Sequence, residues 1–372
     1  MKINIIPIST LLLSTLPIFA CTDSKSDTAE AENVNETTEE LNDSDDISDS
    51  WADVENFESG VYTFAGSGEL QSIDGHRELA SFAEPTYLRQ GPNGLVYIID
   101  RMSGELRTMS LDGTVKTIEI YGEKPADPVG LAFDENGDIF ISSSSEHCIY
   151  RISSGTSSVF AGTCGDSGQG YVNGQQAMFN HPKEIAFDQA GNLIVADATN
   201  SALRIISPEG VTETLAGNGE FGLITDGPAL ESITYFPISV TVGADNNVYF
   251  AGLDNCVRRI VDGNIETIAA RCQNYSNTGS DDGDASTAMF DMPRGLYFNS
   301  NNELMILDSS SSLIRILSED MSTIQTLAGK SPGYYDGSLE DGKFDSPKGI
   351  LEIDGKYIVA DSVNSRIRLV VP

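Results

Sequence analysis

The sequence predicts an all-β fold, a six-bladed β-propeller. Three observations predict it: a repeat anchored by proline, four short apolar runs in each repeat, and an unmatched strand at either end of the repeat region. Each repeat starts with proline, two further residues and an apolar residue that opens a strand-like run. The anchors, spaced 43, 54, 55, 56 and 54 residues apart, are Pro85, Pro128, Pro182, Pro237, Pro293 and Pro347. A period of about 50 residues is typical of stacked or radially arranged units.

The third repeat shows most plainly what one unit contains. Its apolar runs cover 185–188, 193–197, 203–206 and 211–217, with Gly191 and Gly210 in the turns between them. Glycine accepts the positive φ that a tight turn needs. Four antiparallel strands of about 4–6 residues make one propeller blade.

The two ends of the repeat region predict how the ring closes. Residues 61–66 match the fourth strands at 213–217 and 325–329, yet no first three strands precede them. The chain ends at 366–372, after the third strand of the last blade. We therefore expect the N-terminal strand to complete the last blade, which leaves no sheet edge open. An open array with an unpaired N-terminal strand is the alternative.

The connections between repeats share a sequence motif of their own: Ala-Gly, then Asp-Gly or Asn-Gly, then Phe three residues before the next proline. With Gly-Asn-Leu-Ile-Val-Ala-Asp at 191–197, Asn200 and Leu-Arg-Ile at 203–205, this pattern resembles the NHL-repeat family of six-bladed β-propellers, over roughly residues 58–372. The resemblance implies the fold. It leaves function open, because such propellers serve protein, ligand and RNA binding and catalysis alike.

Residues 1–20 are predicted to be a signal peptide. One early charge, Lys2, precedes a short apolar run, and the small residue Ala20 stands at its end. The text Ile-Phe-Ala-Cys at 18–21 resembles a bacterial lipobox, which implies cleavage before Cys21 and acylation of its sulfur and its new amino group. Several acyl chains together anchor a protein stably. A soluble secreted protein with an ordinary signal is the alternative.

The resemblance to bacterial lipoproteins also implies a location in the cell. Sorting in many such systems retains proteins with Asp after the acylated cysteine at the inner membrane, and this chain has Thr22 there. The expected location is the outer membrane, facing either the periplasm or the exterior.

Residues 21–56 are predicted to be an extended acidic tether. Between 22 and 55 there are 13 acidic residues and one lysine, with few apolar side chains. Such a segment cannot bury enough apolar surface to fold. As a flexible coil it would span roughly 30–35 Å, so we expect it to hold the propeller of residues 57–372 away from the bilayer.

Two pairs of cysteines share one spacing. Cys148 and Cys164 are 16 residues apart, as are Cys256 and Cys272, and each pair brackets the third and fourth strands of one blade. Around the turn between those strands the two cysteines are expected to lie opposite one another, with Cβ atoms about 4.5–5.5 Å apart. The predicted disulfides are Cys148–Cys164 and Cys256–Cys272, which agree with an oxidising compartment. A four-cysteine zinc site would require convergence across the ring.

A repeat protein allows an internal comparison, in which a residue that recurs in every blade is attributed to the frame. Arginine is predicted to hold one third-strand position in all six blades, at Arg107, Arg151, Arg204, Arg259, Arg315 and Arg368. In four blades an aspartate precedes it by seven residues, at Asp100, Asp197, Asp308 and Asp361. We expect ion pairs or turn hydrogen bonds within the blades. A ring of ligand-binding arginines is the alternative.

The candidate ligand site is predicted where the repeats differ. The third residues of the anchors are Tyr87, Gly130, Glu184, Ser239, Gly295 and Gly349. First strands line the central channel of a propeller, so the glycines are expected to leave room for water or ligand, with Tyr87 and Glu184 projecting inward. His181, Lys183 and Arg294 are expected at the channel mouth. A hydrated channel without a ligand is the alternative.

A second candidate surface lies on the long connections, which carry Tyr171, Tyr334 and Tyr335. Tyrosines on rigidly based loops favour partner binding.

Metal binding and catalysis have weaker support in the sequence. Asp281, Asp282 and Asp284 are weak candidates for Ca²⁺, because their spacing departs from an EF-hand loop. No other cofactor is predicted. The three histidines lie in different repeats, and a Gly-x-Ser-x-Gly nucleophile motif is missing. Glu184 could supply one ligand of a lactonase-like Ca²⁺ site, but matching partners are not identifiable.

The charge of the chain excludes one class of function. The net charge is −34, of which −23 falls on residues 56–372. An acidic propeller repels phosphate backbones, so nucleic acid is not an expected partner.

Together these features predict a noncatalytic binding module for a protein or glycan of the envelope or exterior. The propeller is expected to be monomeric and to meet the membrane only through its lipid anchor. The alternative is a propeller hydrolase or lyase, lactonase-like, with a metal in the central channel. A purely structural envelope component is a third possibility.

Overall fold

The computed structural model describes residues 57–165, 168–222, 226–270 and 278–372. The predicted signal peptide, the anchor Cys21 and the tether lie outside these ranges. No helix in the described part of the chain has both the length and the apolar character needed to cross a bilayer.

The described strands fall into six blades, each of which opens at an anchor proline. The strands of the first half are β1 (Gly60–Ala65), β2 (Gly75–His76), β3 (Pro85–Gln90), β4 (Val96–Asp100), β5 (Glu105–Met109), β6 (Thr114–Thr117), β7 (Tyr121–Gly122), β8 (Pro128–Phe133), β9 (Ile139–Ser143), β10 (Cys148–Ser153), β11 (Thr156–Gly162), β12 (Pro182–Phe187), β13 (Leu193–Asp197), β14 (Ala202–Ile206) and β15 (Thr212–Ala216). Those of the second half are β16 (Gly227–Pro228), β17 (Pro237–Val242), β18 (Val248–Gly252), β19 (Val257–Val261), β20 (Asn264–Ala269), β21 (Gly283–Asp284), β22 (Pro293–Phe298), β23 (Leu304–Asp308), β24 (Leu313–Leu317), β25 (Thr323–Ala328), β26 (Pro347–Ile353), β27 (Lys356–Asp361) and β28 (Arg366–Val371). Short 3₁₀ turns cover Arg77–Leu79 and Ala198–Asn200.

Each blade is a sheet of four antiparallel strands, in chain order in the first five blades, and four of the blades add a two-residue strand at the outer edge. The first strands β3, β8, β12, β17, β22 and β26 contact their neighbours in this order, and β26 contacts β3. The six blades therefore surround a central channel, as the repeat predicts.

The ring closes through the N-terminal strand. β1 pairs antiparallel with β28, from Gly60 opposite Val371 to Ala65 opposite Ile367, and so becomes the fourth strand of blade six. The six-bladed fold and its closure are thus confirmed. The apolar core consists of six clusters, each between two adjacent blades.

The first predicted disulfide is confirmed. Cys148 and Cys164 are bonded, with Cα atoms 5.3 Å apart. They are not directly opposite, however, because Cys148 pairs with Gly162 and Cys164 follows the end of β11. The hairpin turns tightly through Ser154 and Gly155, both with positive φ. Because this turn lies before the midpoint between the two cysteines, Cys148 pairs with a residue that precedes Cys164.

The second predicted disulfide falls partly outside the described residues. Cys256 is buried and disulfide-bonded. Cys272 belongs to the undescribed range 271–277, so the pairing Cys256–Cys272 stays a prediction.

The third-strand arginine recurs in fewer blades than the sequence indicates. In blade four the residue opposite Phe250 is Arg258, whereas Arg259 is partly exposed and pairs with Glu266. In blade two the equivalent position, opposite Ile141, holds Tyr150. The expectation for Arg151 and Arg259 was wrong.

Blades two and four also differ from the others in their second strand. The position that holds aspartate in the other four blades is Ser143 in blade two and Gly252 in blade four. Without that carboxylate, blade two has Tyr150 at this register, whereas blade four keeps a buried arginine, Arg258, which pairs with Asp254 instead.

In four blades a buried arginine fastens the blade to the connection that enters it. In blade six the guanidinium of Arg368 lies 2.8 Å from a carboxylate oxygen of Asp361, and neither side chain is exposed. Arg368 also donates to the carbonyl of Lys343 and lies 5.4 Å from the ring centroid of Phe344. Equivalent contacts surround Arg107, Arg204 and Arg315. We call this set of buried Arg, Asp and Phe the latch.

Replacement of a latch arginine should destabilise the protein strongly. Arg315→Met leaves the carboxylate of Asp308 buried without its partner, which costs about 3–5 kcal/mol. Arg259→Met removes the same charge from a partly exposed pair and should cost no more than about 1 kcal/mol. Urea unfolding of both purified variants measures the difference. Equal losses of stability would contradict the role of the latch.

Candidate functional site

The residue that follows each anchor proline faces one common cavity. This cavity, at one end of the central channel, has a volume of about 410 Å³. Its first ring consists of Thr86, Val129, Lys183, Ile238, Arg294 and Lys348. We call this cavity the cup.

The remaining lining comes from the chain just before the prolines and just after the second strands, together with Tyr87. These residues are Tyr87, Arg101, His181, Ala198, Thr199, Phe236, Leu253 and Met292. His181, Phe236 and Met292 each precede an anchor proline and have positive φ. Asp127 and Ser346 share that backbone conformation in other blades, so it belongs to the frame and directs this position inward.

The cup has a floor. The hydroxyl of Tyr87 donates to the backbone carbonyl of Arg294 at 3.1 Å, which joins blade one to blade five. An ion pair of 2.8 Å between Arg89 and Glu184 joins blade one to blade three. Because both contacts link blades that are not neighbours, they cross the channel. A separate, shallower cavity that includes Arg89 lies at the other end.

Two expectations about the third anchor position need correction. Glu184 projects into the channel, where it pairs with Arg89, but it does not line the cup: it is 1% exposed and accepts hydrogen bonds from Ser239 and from the backbone N–H of Val240 in the next blade. The glycines do not leave room for a ligand either. A Cβ on Gly295 would lie 2.4 Å from the carbonyl oxygen of Lys348.

The same close approach occurs at Gly130 and Gly349. Glycine is therefore required here because the first strand of the next blade passes too close for any side chain. The variable ring that lines the cup is one residue earlier in the anchor.

Four cationic side chains surround the cup. Arg101 is paired with Asp127 at 2.7 Å and with Glu84 at 3.4 Å, and Lys348 is also bonded to Glu84. These two carboxylates stand behind the lining and serve two of the four cations.

The other two cations lack such partners. The ammonium of Lys183 donates to the hydroxyl of Ser144 at 2.8 Å, and a guanidinium nitrogen of Arg294 lies 3.9 Å from the sulfur of Met292. Within the described ranges neither makes an ion pair. Burial, opposed by Asp127 and reinforced by Arg101 and Arg294, lowers the pKa of Lys183.

The cup therefore has an excess of positive charge, because carboxylates pair with only two of its four cations. Burial, opposed by Glu84 and reinforced by Arg294 and Arg101, also lowers the pKa of Lys348. Neighbouring like charges raise the electrostatic free energy of the site, and an anion bound between them would lower that free energy.

A histidine pair adjoins the cup. The rings of His147 and His181 lie edge to face with centroids 4.7 Å apart, and the backbone N–H of His181 donates to Nδ1 of His147. Burial, reinforced by His147 and Lys183, lowers the pKa of His181. The lowered pKa favours the neutral form of the His181 imidazole.

The predicted tyrosine surface is divided between opposite sides of the ring. Tyr171 covers the latch arginine Arg204 of blade three, with its ring centroid 4.9 Å from the guanidinium carbon. Tyr334 covers Arg366 and Arg368 of blade six at 4.0 and 5.0 Å. Tyr335 is exposed beside Tyr334 and its carbonyl accepts from Arg368. These tyrosines contribute to the latches and are not brought together at one site.

Two of the three acidic residues predicted as weak Ca²⁺ candidates have carboxylates that are engaged by the protein itself. Asp282 is bonded to Arg315 and Thr326, and Asp284 to Ser286. In the described part of the chain no cluster of three or more His, Cys, Asp or Glu side chains is arranged to hold a metal.

Comparison with known proteins supports the fold and a distant ancestry. No family model matches the chain. The chain is 24% identical over 263 residues to Protein SUPPRESSOR OF QUENCHING 1, chloroplastic, of Arabidopsis thaliana, a match covering 65% of this chain and 25% of that protein. It is 27% identical over 215 residues to NHL repeat-containing protein 2 of Bos taurus, covering 55% and 24%. It is a distant homologue of NHL-repeat proteins. The chain spans about a quarter of the length of these curated relatives.

Solved structures show the same architecture. An auxiliary nutrient binding protein from Bacteroides ovatus has a TM-score of 0.67 and 15% identity, over 85% of this chain and 77% of that one. Virginiamycin B lyase from Staphylococcus aureus, in a catalytically inactive H270A form, has a TM-score of 0.51 and 14% identity, over 77% and 80%. At these identities the likeness extends to the fold alone.

Sequence reasoning found Tyr87, His181, Lys183 and Arg294 but missed Arg101 and Lys348. Lys348 follows an anchor proline, as Lys183 and Arg294 do, so alignment of that position would have found it. Arg101 follows β4 and has no such repeat signal, since the equivalent residues in blades three and four are Ala198 and Leu253.

Removal of one uncompensated cation should stabilise the ligand-free protein. Because the pKa of Lys183 is lowered on folding, charging this amine costs more in the folded than in the unfolded chain. Lys183→Met should therefore raise the free energy of unfolding at neutral pH by about 0.5 kcal/mol or more.

This gain has a defined pH dependence. It should shrink as the pH rises from about 7 to about 10, where Lys183 loses its proton in the unfolded chain as well. Chemical unfolding across this range measures it. Lys330→Met, at an exposed pair with Asp341, is the matched control and should give no gain. A destabilised Lys183→Met variant would contradict the description of the cup.

Proposed function

We propose that the protein is a noncatalytic binding module that takes a small ligand, such as the end of a glycan, into the cup. The observation that carries this proposal is the cup itself. It is floored by Tyr87 and exposes Lys183 and Arg294, which make no ion pair within the described ranges. Uncompensated charge at a cavity is costly in a ligand-free protein and is typical of a site that acquires a partner.

The size of the cavity favours a glycan or other small molecule over a protein surface. A volume of about 410 Å³ falls within the range of about 300–1,000 Å³ for small-molecule sites. A protein partner would instead bury about 800 Å² of each surface. The lining also combines apolar and hydrogen-bonding groups, as a sugar requires. The likeness to an auxiliary nutrient binding protein is in keeping with this use of the fold.

Glycan binding can be tested on the purified protein. We expect it to retain a limited set of glycans on an array and mass spectrometry to recover the bound glycan unchanged after incubation. Ile238→Trp, which places an indole in the cup, should abolish retention because it fills the cavity. Tyr335→Ala, on an outer connection, is the control and should retain binding.

Two results would overturn the proposal. Loss of binding in Tyr335→Ala but not in Ile238→Trp would place the site on the tyrosine-bearing connections. Conversion of the retained glycan would favour the second candidate, a propeller lyase or hydrolase, in which the neutral imidazole of His181 at the edge of the cup accepts a proton.

We further propose that the module acts at the cell envelope, attached through acylated Cys21 and the acidic segment that follows. The lipobox-like motif at 18–21 supports this mode of attachment. The wild-type protein should sediment with bacterial membranes, while Cys21→Ser should appear in the soluble exported fraction because it cannot be acylated. Equal distribution of the two proteins would argue against a lipid anchor.

A further inference from the structure

The charge of the cup is opposite to that of the protein. The chain has 56 acidic residues against 22 lysines and arginines, yet the lining of the cup includes four of these cations and no carboxylate. The cations come from the first strands of blades three, five and six and from the end of β4. Such a gathering at one cavity does not follow from the composition.

The four cations divide into a paired and an unpaired set. Glu84 and Asp127 neutralise Arg101 and Lys348 from behind the lining. The unpaired set, Lys183 and Arg294, comes from blades three and five, on either side of blade four. An acidic group held between them would receive charge-assisted hydrogen bonds from both, the strong class of such bonds.

The wall between the unpaired cations is apolar. Ile238 lies between them in the ring, flanked by Phe236 and Leu253. A ligand that fits must therefore place an acidic group near the cations and a compact, partly apolar body against blade four. A sugar ring has such an apolar face, and a substituent on that ring supplies the acid.

The outer charge limits how acidic the ligand can be. With −23 on residues 56–372, the protein repels an extended polyanion before it reaches the cup. A short chain with one or two acidic groups at its end meets far less repulsion. The cup thus selects for a single terminal acidic residue over a highly charged polymer.

We propose that the cup binds the acidic terminal sugar of a glycan, with its carboxylate or sulfate group held between Lys183 and Arg294. This inference rests on the proposed function as a glycan-binding module and names the class of ligand. Uronates and sulfated sugars share the required anionic group, and direct titration separates the two sources.

The test is isothermal titration calorimetry with matched sugars. The glucose, galactose and mannose forms are each compared with their uronate and their 6-sulfate. We expect at least one acidic sugar to bind about tenfold or more tightly than its neutral parent, and its affinity to fall as salt is added. The preferred acid, uronate or sulfate, identifies the source. Three neutral parents that bind as tightly as their acids would overturn the inference.

Variants assign the effect to the cup. Lys183→Met and Arg294→Met should each weaken binding of the acidic sugar by about tenfold or more, and Arg294→Lys should restore part of it. Lys330→Met removes a charge outside the cup and should leave binding unchanged. Thermal unfolding shows whether each variant is folded.

The outcomes also separate this inference from the proposed function. Retention of a neutral glycan that is blocked by Ile238→Trp and unaffected by Arg294→Met would overturn the acidic ligand and leave the binding module intact. Retention of glycans that is unaffected by Ile238→Trp would overturn both.

Discussion

The buried pair of arginine and aspartate, closed over a phenylalanine, is the interaction on which the rest of the structure depends. The arginine binds carbonyls of the incoming connection, and the aspartate accepts a backbone N–H two residues ahead of the anchor proline, as Asp197 does from Asn180 and Asp361 from Asp345. In these four blades the chain is thus fixed just before the first strand. The residue after the proline then lies at a set position, and the ring of these residues forms the cup.

The latch also accounts for where the cysteines occur. Blades two and four lack the aspartate, with Ser143 and Gly252 in its place, and these are the blades that contain Cys148 and Cys256. Cys148 lies directly opposite Ser143. A covalent link between the third strand and the end of the fourth replaces, in blade two, the electrostatic fastening used elsewhere. Such links suit an exported protein.

Much of the frame could be predicted from the sequence because repetition makes it visible. Strand order, closure by β1 and the first disulfide follow from periodicity and spacing. The role of Gly295 could not be predicted, because an absent side chain is equally compatible with an open channel and with a close approach of the next strand. The inward direction of Glu184 could be predicted, but not that Arg89, Ser239 and Val240 occupy its carboxylate, because these partners come from other blades. Lys348 was within reach of the repeat comparison, whereas Arg101 depends on how β4 ends.

The frame and the cup occupy adjacent positions of the same repeat: in four blades the latch fixes the chain, and in all six the residue after the proline lines the cup. The most direct test is an experimental structure of the protein soaked with the acidic sugar that it binds most tightly. We expect ligand density in the cup, with the acidic group within hydrogen-bonding distance of Lys183 and Arg294. Density on the outer connections beside Tyr171 or Tyr335, with an empty cup, would contradict it.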